Sequence, residues 1–383
     1  MEQIGINSNV FAGGKVFHIQ TAGNPVGLSI QTEIFDAGRI VAVQRHKLDQ
    51  GPGKVSHDRF KDILAEFHQE ISWELELLFY MRDKIHNVKH PLSHYKLGAL
   101  FLHKGLDEDA ATEFRLAIEK NSQMAEAHNG LGLSFLKKGK YADAESSFRY
   151  ALTIQPGYAD MHHNLGLVLA KMGKFDESLK SFEAALQINP KYGAAQLGLS
   201  TTLLEHASVH RRNGGSEKSE KLEARALELI RLFVQESTDP ADNRFFTYRR
   251  DKIVKHVQTG EMDLAVDVIK EIKEALQEPA LDETVHGFYL KFLFGGAGKD
   301  EAVLNDYRHK LEKVASEKPE FADLRNSLGM VYLIQCRNLF IQAMNEFRKA
   351  YEINPNYKNA YKNFRLVQND GREFLNLLRA ILK

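Results

Sequence analysis

The sequence predicts a mainly α-helical protein, a right-handed α-solenoid of stacked helix pairs that follows a small N-terminal antiparallel β-meander. Three observations support this prediction. Several residue types recur at one fixed spacing within residues 91–205, residues 1–55 contain short segments rich in β-branched and aromatic side chains, and residues 57–87 contain neither glycine nor proline.

The overall composition narrows the classes of function. The 383 residues include 51 Lys and Arg and 51 Asp and Glu, so no excess of cations exists to neutralise a polyanion, and we expect no nucleic-acid partner. The single cysteine, Cys336, cannot form an internal disulfide or a cysteine-rich zinc site, and we expect it in a packed core. No apolar stretch reaches the ~18 residues of a membrane helix, and no signal-peptide pattern opens the chain. We therefore expect a cytoplasmic protein that is not an integral membrane protein and uses no metal or cofactor.

Residues 1–55 predict a small β module. The strand-like segments are 3–11, 16–21, 28–35 and 40–45. Gly38 suits the left-handed position of a short hairpin loop, and the pair Gly13 and Gly14 suggests another turn. About fifty residues bury too little surface to be stable alone, so the sheet must pack against the next segment. Its edge strands invite another strand, and we hypothesise docking or homodimerisation here; the equally weighted alternative is that the sheet only caps the first helices.

Residues 56–90 predict one long connecting helix. Ser56 suits the N-cap position, and residues 57–87 follow without a helix breaker. Large apolar residues form one wide stripe that can contact both the sheet and the first repeat: Phe60, Leu64, Phe67, Ile71, Leu75, Leu78 and Ile85.

The repeats are defined by columns of matched positions at a constant spacing. Leucine–glycine pairs begin at Leu97, Leu131 and Leu165. The other columns are Phe101, Phe135 and Leu169; Gly105, Gly139 and Gly173; Ala110, Ala144 and Ser178; Phe114, Phe148 and Phe182; Ala117, Ala151 and Ala185. This pattern resembles the tetratricopeptide repeat (TPR), whose unit of the same length is a pair of helices. The resemblance is strong over residues 91–192 and weaker over residues 193–205 and 321–356.

Each column has a physical role within the predicted helix pair. Small residues at Gly98 and Ala110 let the two helices approach closely, while Phe114 fills the remaining space. Gly105 accepts the left-handed conformation that ends the first helix. Pro156 lacks an amide donor and closes its unit, as Pro190 does for the next unit. One pair cannot bury its apolar face alone, so the units must stack.

The repeat pattern divides the rest of the chain. We predict regular TPR units over 91–205, degenerate helical repeats over 206–320 with a polar loop near 211–220, and a C-terminal TPR-like unit with capping helices over 321–383. Gly260 divides one predicted degenerate pair, and a turn near 295–299 divides the next. The late unit rests on Leu328, Tyr332, Ala343, Phe347, Ala350 and Pro355, with about two additional residues around 336–340. We expect residues 91–383 to form one continuous solenoid without a β-strand.

No motif predicts a catalytic residue. His162 and His163 are adjacent on a predicted helix and point in different directions, so the two rings do not easily share a metal ion. Residues 295–299 contain glycines and a lysine, but Asp300 stands where a phosphate-binding loop needs serine or threonine. We interpret that segment as an ordinary loop.

The TPR resemblance implies a concave groove lined by the first helix of each pair. Its lining is predicted by stepping along each first helix away from the packed columns: Tyr95, Ala99, Leu102, His103, Asn129, Leu133, Leu136, Lys137, His163, Leu167, Ala170, Lys171, Leu197 and Thr201. The family's clamp for C-terminal carboxylates has asparagine where Ala99, Leu133 and Leu167 stand, so these positions do not match that clamp. An apolar strip between Lys137 and Lys171 suits an amphipathic helix or an extended peptide that carries some acidic residues.

These observations favour a non-enzymatic scaffold or adaptor that binds a protein or peptide partner in the groove. The alternative is a regulatory subunit, or an enzyme with a site in residues 206–320. A deep polar pocket with several perturbed titratable groups in that region would favour the alternative, whereas a groove lined by apolar and lysine side chains would favour the scaffold.

Overall fold

A computed structural model describes residues 4–25, 27–47, 56–86, 90–236, 240–276, 301–317 and 322–354, and single positions beyond them. The chain divides into two compact units, Met1–Gln277 and Glu278–Lys383. Among the described residues, the first unit contains one four-stranded sheet and eleven helices, and the second contains two long helices.

The N-terminal sheet is an antiparallel meander, which confirms the prediction for this segment. Its strands, in spatial order, are β1 (Ile4–Ala12), β2 (Lys15–Asn24), β3 (Ser29–Asp36) and β4 (Arg39–Lys47). Two-residue turns join β1 to β2 and β3 to β4, and the expected left-handed residue Gly38 has a φ of 77°.

Helix α1 (His57–Ile85) covers one face of this sheet. Ser56 caps the helix, because its side-chain oxygen accepts a hydrogen bond of 3.2 Å from the amide of Arg59. The ring of Phe17 in β2 lies 5.2 Å from that of Phe79 in α1, and both side chains are buried. The sheet therefore packs against the long helix, as the small size of the module predicts.

Three regular helix pairs follow α1. They are α2 (Pro91–His103) with α3 (Asp107–Lys120), α4 (Ala125–Lys137) with α5 (Tyr141–Ile154), and α6 (Ala159–Lys171) with α7 (Phe175–Ile188). The glycine after each first helix is left-handed as predicted, with a φ of 78° at Gly105, 71° at Gly139 and 72° at Gly173. The three phenylalanines between the paired helices are fully buried.

The fourth pair is enlarged, and the loop predicted near 211–220 is present but shorter than expected. Helix α8 (Gly193–Arg212) and helix α9 (Ser216–Glu236) leave only residues 213–215 outside the helices. The polar residues continue both helices because they bond across the junction. Arg211 donates hydrogen bonds of 2.8 and 2.9 Å to the carboxylate of Glu223.

The pair that follows confirms the predicted break at Gly260, which has a φ of 78°. Helix α10 (Pro240–Gln258) packs on α9, and helix α11 (Met262–Leu276) packs on α8. In the regular units the first helix of one pair packs on both helices of the preceding pair. Here the second helix of the pair provides the main contact with α8, so the stacking pattern changes at this point.

The second unit departs from the predicted helix-turn-helix design. Its described helices are α12 (Glu301–Glu317) and α13 (Ala322–Ile353), and α13 runs for 32 residues without a turn. No glycine or proline occurs between Gly329 and Pro355, so the sequence contains no strong signal that would end the helix at residues 336–340. A Cβ built on Gly329 would meet nothing within 4 Å, whereas the repeat glycines pack closely.

Two further predictions concern this unit. Cys336 is exposed on helix α13, so the expected packed-core thiol is wrong. The predicted turn at 295–299 lies outside the described residues, as do most of the predicted capping helices beyond residue 354.

Candidate functional site

The predicted groove residues lie on α2, α4, α6 and α8, the first helices of the four pairs. We call this set the first-helix surface. Thirteen of its fourteen members are partly or largely exposed, and Leu197 is the exception. Leu197 is 1% exposed within the core shared by helices α7 to α11, so it is a packing residue rather than a groove residue.

Direct hydrogen bonds join neighbouring first helices along this surface. The amide of Asn164 on α6 donates to the side-chain oxygen of Asn129 on α4 at 3.1 Å. The ammonium of Lys137 on α4 donates to the carbonyl of Leu102 on α2 at 3.0 Å and lies 3.8 Å from Asp107. These bonds hold three consecutive first helices side by side. The Lys137 ammonium therefore already has partners within the protein.

The leucines of the surface have two roles. Leu133 and Leu136 are half-buried and pack against the core around Phe148. Leu167 is half-buried in the same way against the core around Phe182. Each side chain therefore stabilises the stack with one side and leaves the other side for a ligand. Leu133 and Leu167 occupy the same column of successive repeats, so they recur along the surface.

His163 is the most perturbed histidine on this surface. Its ring lies 5.4 Å from the ring of Phe182 and 5.4 Å from that of Tyr192. Burial, with a smaller contribution from the charge of Lys273, lowers the pKa of His163 to about 4. Its Nδ1 atom is buried and has no hydrogen-bond partner within the described part of the chain.

A lysine from outside the predicted set completes the surface at α8. Lys273 on α11 donates a hydrogen bond of 3.2 Å to the hydroxyl of Thr201. Burial lowers the pKa of this lysine to about 8, against a smaller opposing effect of Glu205. Burial also raises the pKa of Glu205, while Lys171, Lys273 and Lys270 oppose that rise.

Sequence reasoning missed Lys273, although one signal was available. Within α11 the residues at helical spacing Met262, Ala265, Ile269 and Ile272 are buried, and Lys273 follows in the same apolar stripe. A lysine in the buried stripe of an amphipathic helix indicates a specific partner or a site. The sequence alone did not reveal that this stripe packs on α8.

Comparison with protein families decides what the helix pairs are. One tetratricopeptide-repeat family model matches residues 108–159, and another matches residues 157–231. Residues 108–231 are tetratricopeptide repeats. The second match ends inside α9, so the enlarged fourth pair belongs to the TPR array although its column pattern is weak.

Solved structures with a similar arrangement are distant. The crystal structure of MamA has 20% identity and a TM-score of 0.36, over 44% of this chain and 95% of that chain. MamA from Desulfovibrio magneticus RS-1 has 18% identity and a TM-score of 0.35, over 46% and 93%. YrrB, a TPR protein with an unusual peptide-binding site, has 18% identity and a TM-score of 0.35, over 53% and 95%. Structural similarity this low does not indicate a function for this chain. No curated protein sequence matches the chain.

The adjacent histidines His162 and His163 make separate contacts. His162 donates to the carbonyl of Pro156 at 2.8 Å, while the neighbouring His163 packs between two aromatic rings, so the two rings diverge as predicted. No group of three or more His, Cys, Asp or Glu residues is arranged for a metal ion within the described ranges. The described helices include none that is long and apolar enough to cross a membrane.

Proposed function

We propose that the protein is a non-enzymatic scaffold or adaptor that binds a protein segment, an amphipathic helix or an extended peptide, on the first-helix surface of its TPR array. The observation that carries this proposal is the column of half-exposed leucines, Leu133 and Leu167, beside two exposed lysines, Lys137 and Lys171. Apolar anchors beside cations suit a ligand that combines apolar and acidic residues. The zero net charge of the chain supports a protein partner over a nucleic acid.

The experiment uses a displayed library of random peptides and the full chain as the target. We expect enriched peptides to combine leucine-like residues with Asp or Glu. Changing Leu133→Glu and Leu167→Glu together should abolish their binding, because the change places charge in the apolar centre of the contact. Helical content by circular dichroism must match the wild type.

A matched control separates binding from folding. Leu152 and Leu186 are also half-buried, also occupy one column of successive repeats, and lie on the second helices α5 and α7. The pair Leu152→Glu and Leu186→Glu should keep peptide binding while disturbing the core to a similar degree. Peptides that still bind the Leu133 and Leu167 variant with wild-type affinity would overturn the proposal.

The alternative of an enzyme with a site in residues 206–320 has no specific observation in its favour. One cavity of about 580 Å³ there is lined by the α8–α9 turn and the first residues of α9, and another of about 470 Å³ lies between α9 and α10. Neither lining includes a histidine or a cysteine. The perturbed Lys273 lies instead beside the first-helix surface.

We also propose that the N-terminal sheet pairs two copies of the chain. Its outer face exposes apolar side chains: Phe11 is 75% exposed, Ile40 54% and Val16 51%. Phe11 and Val16 are directly opposite each other on β1 and β2, and Ile40 is opposite Phe35. A two-fold axis would place this apolar patch against its own copy.

We also propose a cytoplasmic location. The single cysteine agrees with it, because disulfides are rare in that compartment.

A further inference from the structure

The ammonium group of Lys273 is largely buried and only partly bonded. A lysine ammonium has three hydrogen-bond donors, and here one of them points to the Thr201 hydroxyl at 3.2 Å. That hydroxyl donates its own hydrogen to the carbonyl of Leu197 at 2.7 Å, so it can only accept from the lysine. The described residues provide no ion pair for Lys273, which leaves two donors available.

The charges around Lys273 favour an incoming anion. Glu205 on α8 is the nearby carboxylate that stabilises the charged lysine, but it forms no ion pair with a described residue. Lys171 on α6 and Lys270 on α11 act on the same carboxylate. Lys270 is paired with Asp267 at 2.7 Å, whereas Lys171 is exposed and takes part in none of the ion pairs among described residues. Asp263 acts on Glu205 and Lys270 but is not among the groups that act on Lys273. At Lys273 itself, Glu205 is therefore the one opposing carboxylate, against the charges of Lys273 and Lys171.

The side chain of Thr201 fixes where the lysine presents its free donors. Thr201 belongs to the first-helix surface, so the hydrogen bond holds the Lys273 ammonium at the border of that surface. His163 lies close enough for the lysine charge to lower its pKa, and its buried Nδ1 has no partner among the described residues. The partly bonded lysine and the unbonded imidazole nitrogen are therefore near enough to interact.

We propose that Lys273, positioned by Thr201 and assisted by Lys171, receives the carboxylate of an aspartate or glutamate side chain of the segment that binds the first-helix surface. This inference rests on the proposed function and names the chemistry of its ligand. Charge-assisted hydrogen bonds from a largely desolvated ammonium are stronger than exposed ones, so the contact would select acidic segments.

An acidic side chain fits better than a terminal carboxylate. Lys137 and Lys171 hold the same position on successive first helices, and that position on α8 is Glu205. The cation near α8 is Lys273 of α11, which bonds Thr201 and interacts with Glu205. A segment with several acidic side chains can meet more than one of these cations. A single terminal carboxylate can bond only those cations that lie within reach of its two oxygens, so it cannot also engage a lysine of another repeat.

The test uses the full chain labelled with ¹³C at the lysine side chains, with the Lys273 signal assigned by its loss in Lys273→Met. The probe is N-acetylglutamic acid amide, and N-acetylglutamine amide is its neutral match. We expect a saturable shift of the Lys273 signal with the acid, with a dissociation constant on the order of 10 mM, and none with the amide. The variant Lys270→Gln on the same helix should bind the probe as the wild type does.

Three results would overturn the inference. They are no saturable shift, an equal shift with the neutral match, or tighter binding of N-acetylalanine, which offers only a terminal carboxylate. The small probe does not need Leu133 or Leu167. If the leucine double variant still binds the selected peptides, the proposed groove is refuted and the probe result is unaffected. If the probe does not bind Lys273, the proposed groove is unaffected.

Discussion

Gly132 on α4 lies directly against the ring of Phe148 on α5: a Cβ built on the glycine would be 2.6 Å from Cε1 of the ring. Such a distance is too short for two carbon atoms, so the two helices are as close as this ring allows. The same relationship occurs in the neighbouring pairs, Gly98 with Phe114 and Gly166 with Phe182. The leucine–glycine column is therefore a requirement of packing within each repeat.

This contact predicts opposite effects at two glycines of similar sequence context. Gly132→Ala should destabilise the protein by about 1–3 kcal/mol, because the added methyl group must displace Phe148. Gly329→Ala should stabilise α13 by about 0.5–1 kcal/mol, because the site is open and alanine is the better helix former. Urea unfolding followed by circular dichroism measures both changes. Equal losses in the two variants would contradict this explanation of the repeat.

The buried imidazole of His163 predicts a loss of stability in acid. Its pKa is about 4 in the folded protein, against an ordinary value of 6.5. The unfolded chain therefore binds one more proton than the folded chain between these two values, and stability falls as the pH decreases through that window, by up to about 3 kcal/mol. His163→Gln should remove this part of the pH dependence.

The adjacent residue provides the control for this prediction. His162→Gln alters a ring that bonds the carbonyl of Pro156 at 2.8 Å outside the aromatic cluster, so this variant should retain the acid sensitivity of the wild type. Unfolding free energies measured at several pH values compare the two variants. The same slope in both would exclude His163 as the source.

The regular repeats are predictable because each column has a local cause. Gly105 ends a helix through its own left-handed conformation, and Phe114 must meet a residue without a side chain. Spacing alone reveals both requirements. The column of Leu133 and Leu167 follows from the same periodicity, which explains why most of the candidate surface could be read from the sequence.

The remaining features depend on contacts that spacing does not encode. Residues 211–220 look like a loop in composition, but the Arg211–Glu223 ion pair and the surrounding packing make most of them helical. Lys273 joins the candidate surface only because α11 packs on α8. The pattern at Leu328 is that of a repeat, yet α13 has no close partner at Gly329 and continues as one helix.

Replacing the buried lysine should increase stability. The pKa of Lys273 is about 8 in the folded protein, against an ordinary value of 10.5, so burial of its charge destabilises the fold by up to about 3 kcal/mol. That cost is fully present below a pH of about 8 and fades as the pH rises toward the ordinary value, since the folded protein then loses its proton before the unfolded chain does. Lys273→Met should therefore raise the melting temperature at neutral pH, and its advantage should shrink in alkali.

The control for this measurement is chosen from the charged groups near Lys273. They are Glu205 and Lys171 on the first helices and Lys270 on α11 itself. Lys270→Met removes an exposed charge on the same helix and should leave the melting temperature nearly unchanged. A lower melting temperature in Lys273→Met would show that the lysine contributes more through its bonds than its burial costs.

The apolar outer face of the sheet predicts a dimer that point substitutions can dissociate. Deleting the sheet would uncover Phe79 on α1 and disturb the fold, so substitutions are the cleaner test. Phe11→Glu together with Ile40→Glu places charges in the exposed patch, and light scattering should report one chain mass where the wild type shows twice that mass. Ile188→Glu on α7 changes an apolar residue of similar exposure, 43%, outside the sheet and should leave the dimer intact. A wild-type mass equal to one chain would refute dimerisation and leave the sheet with the role of capping α1, because its inner face would still pack on that helix.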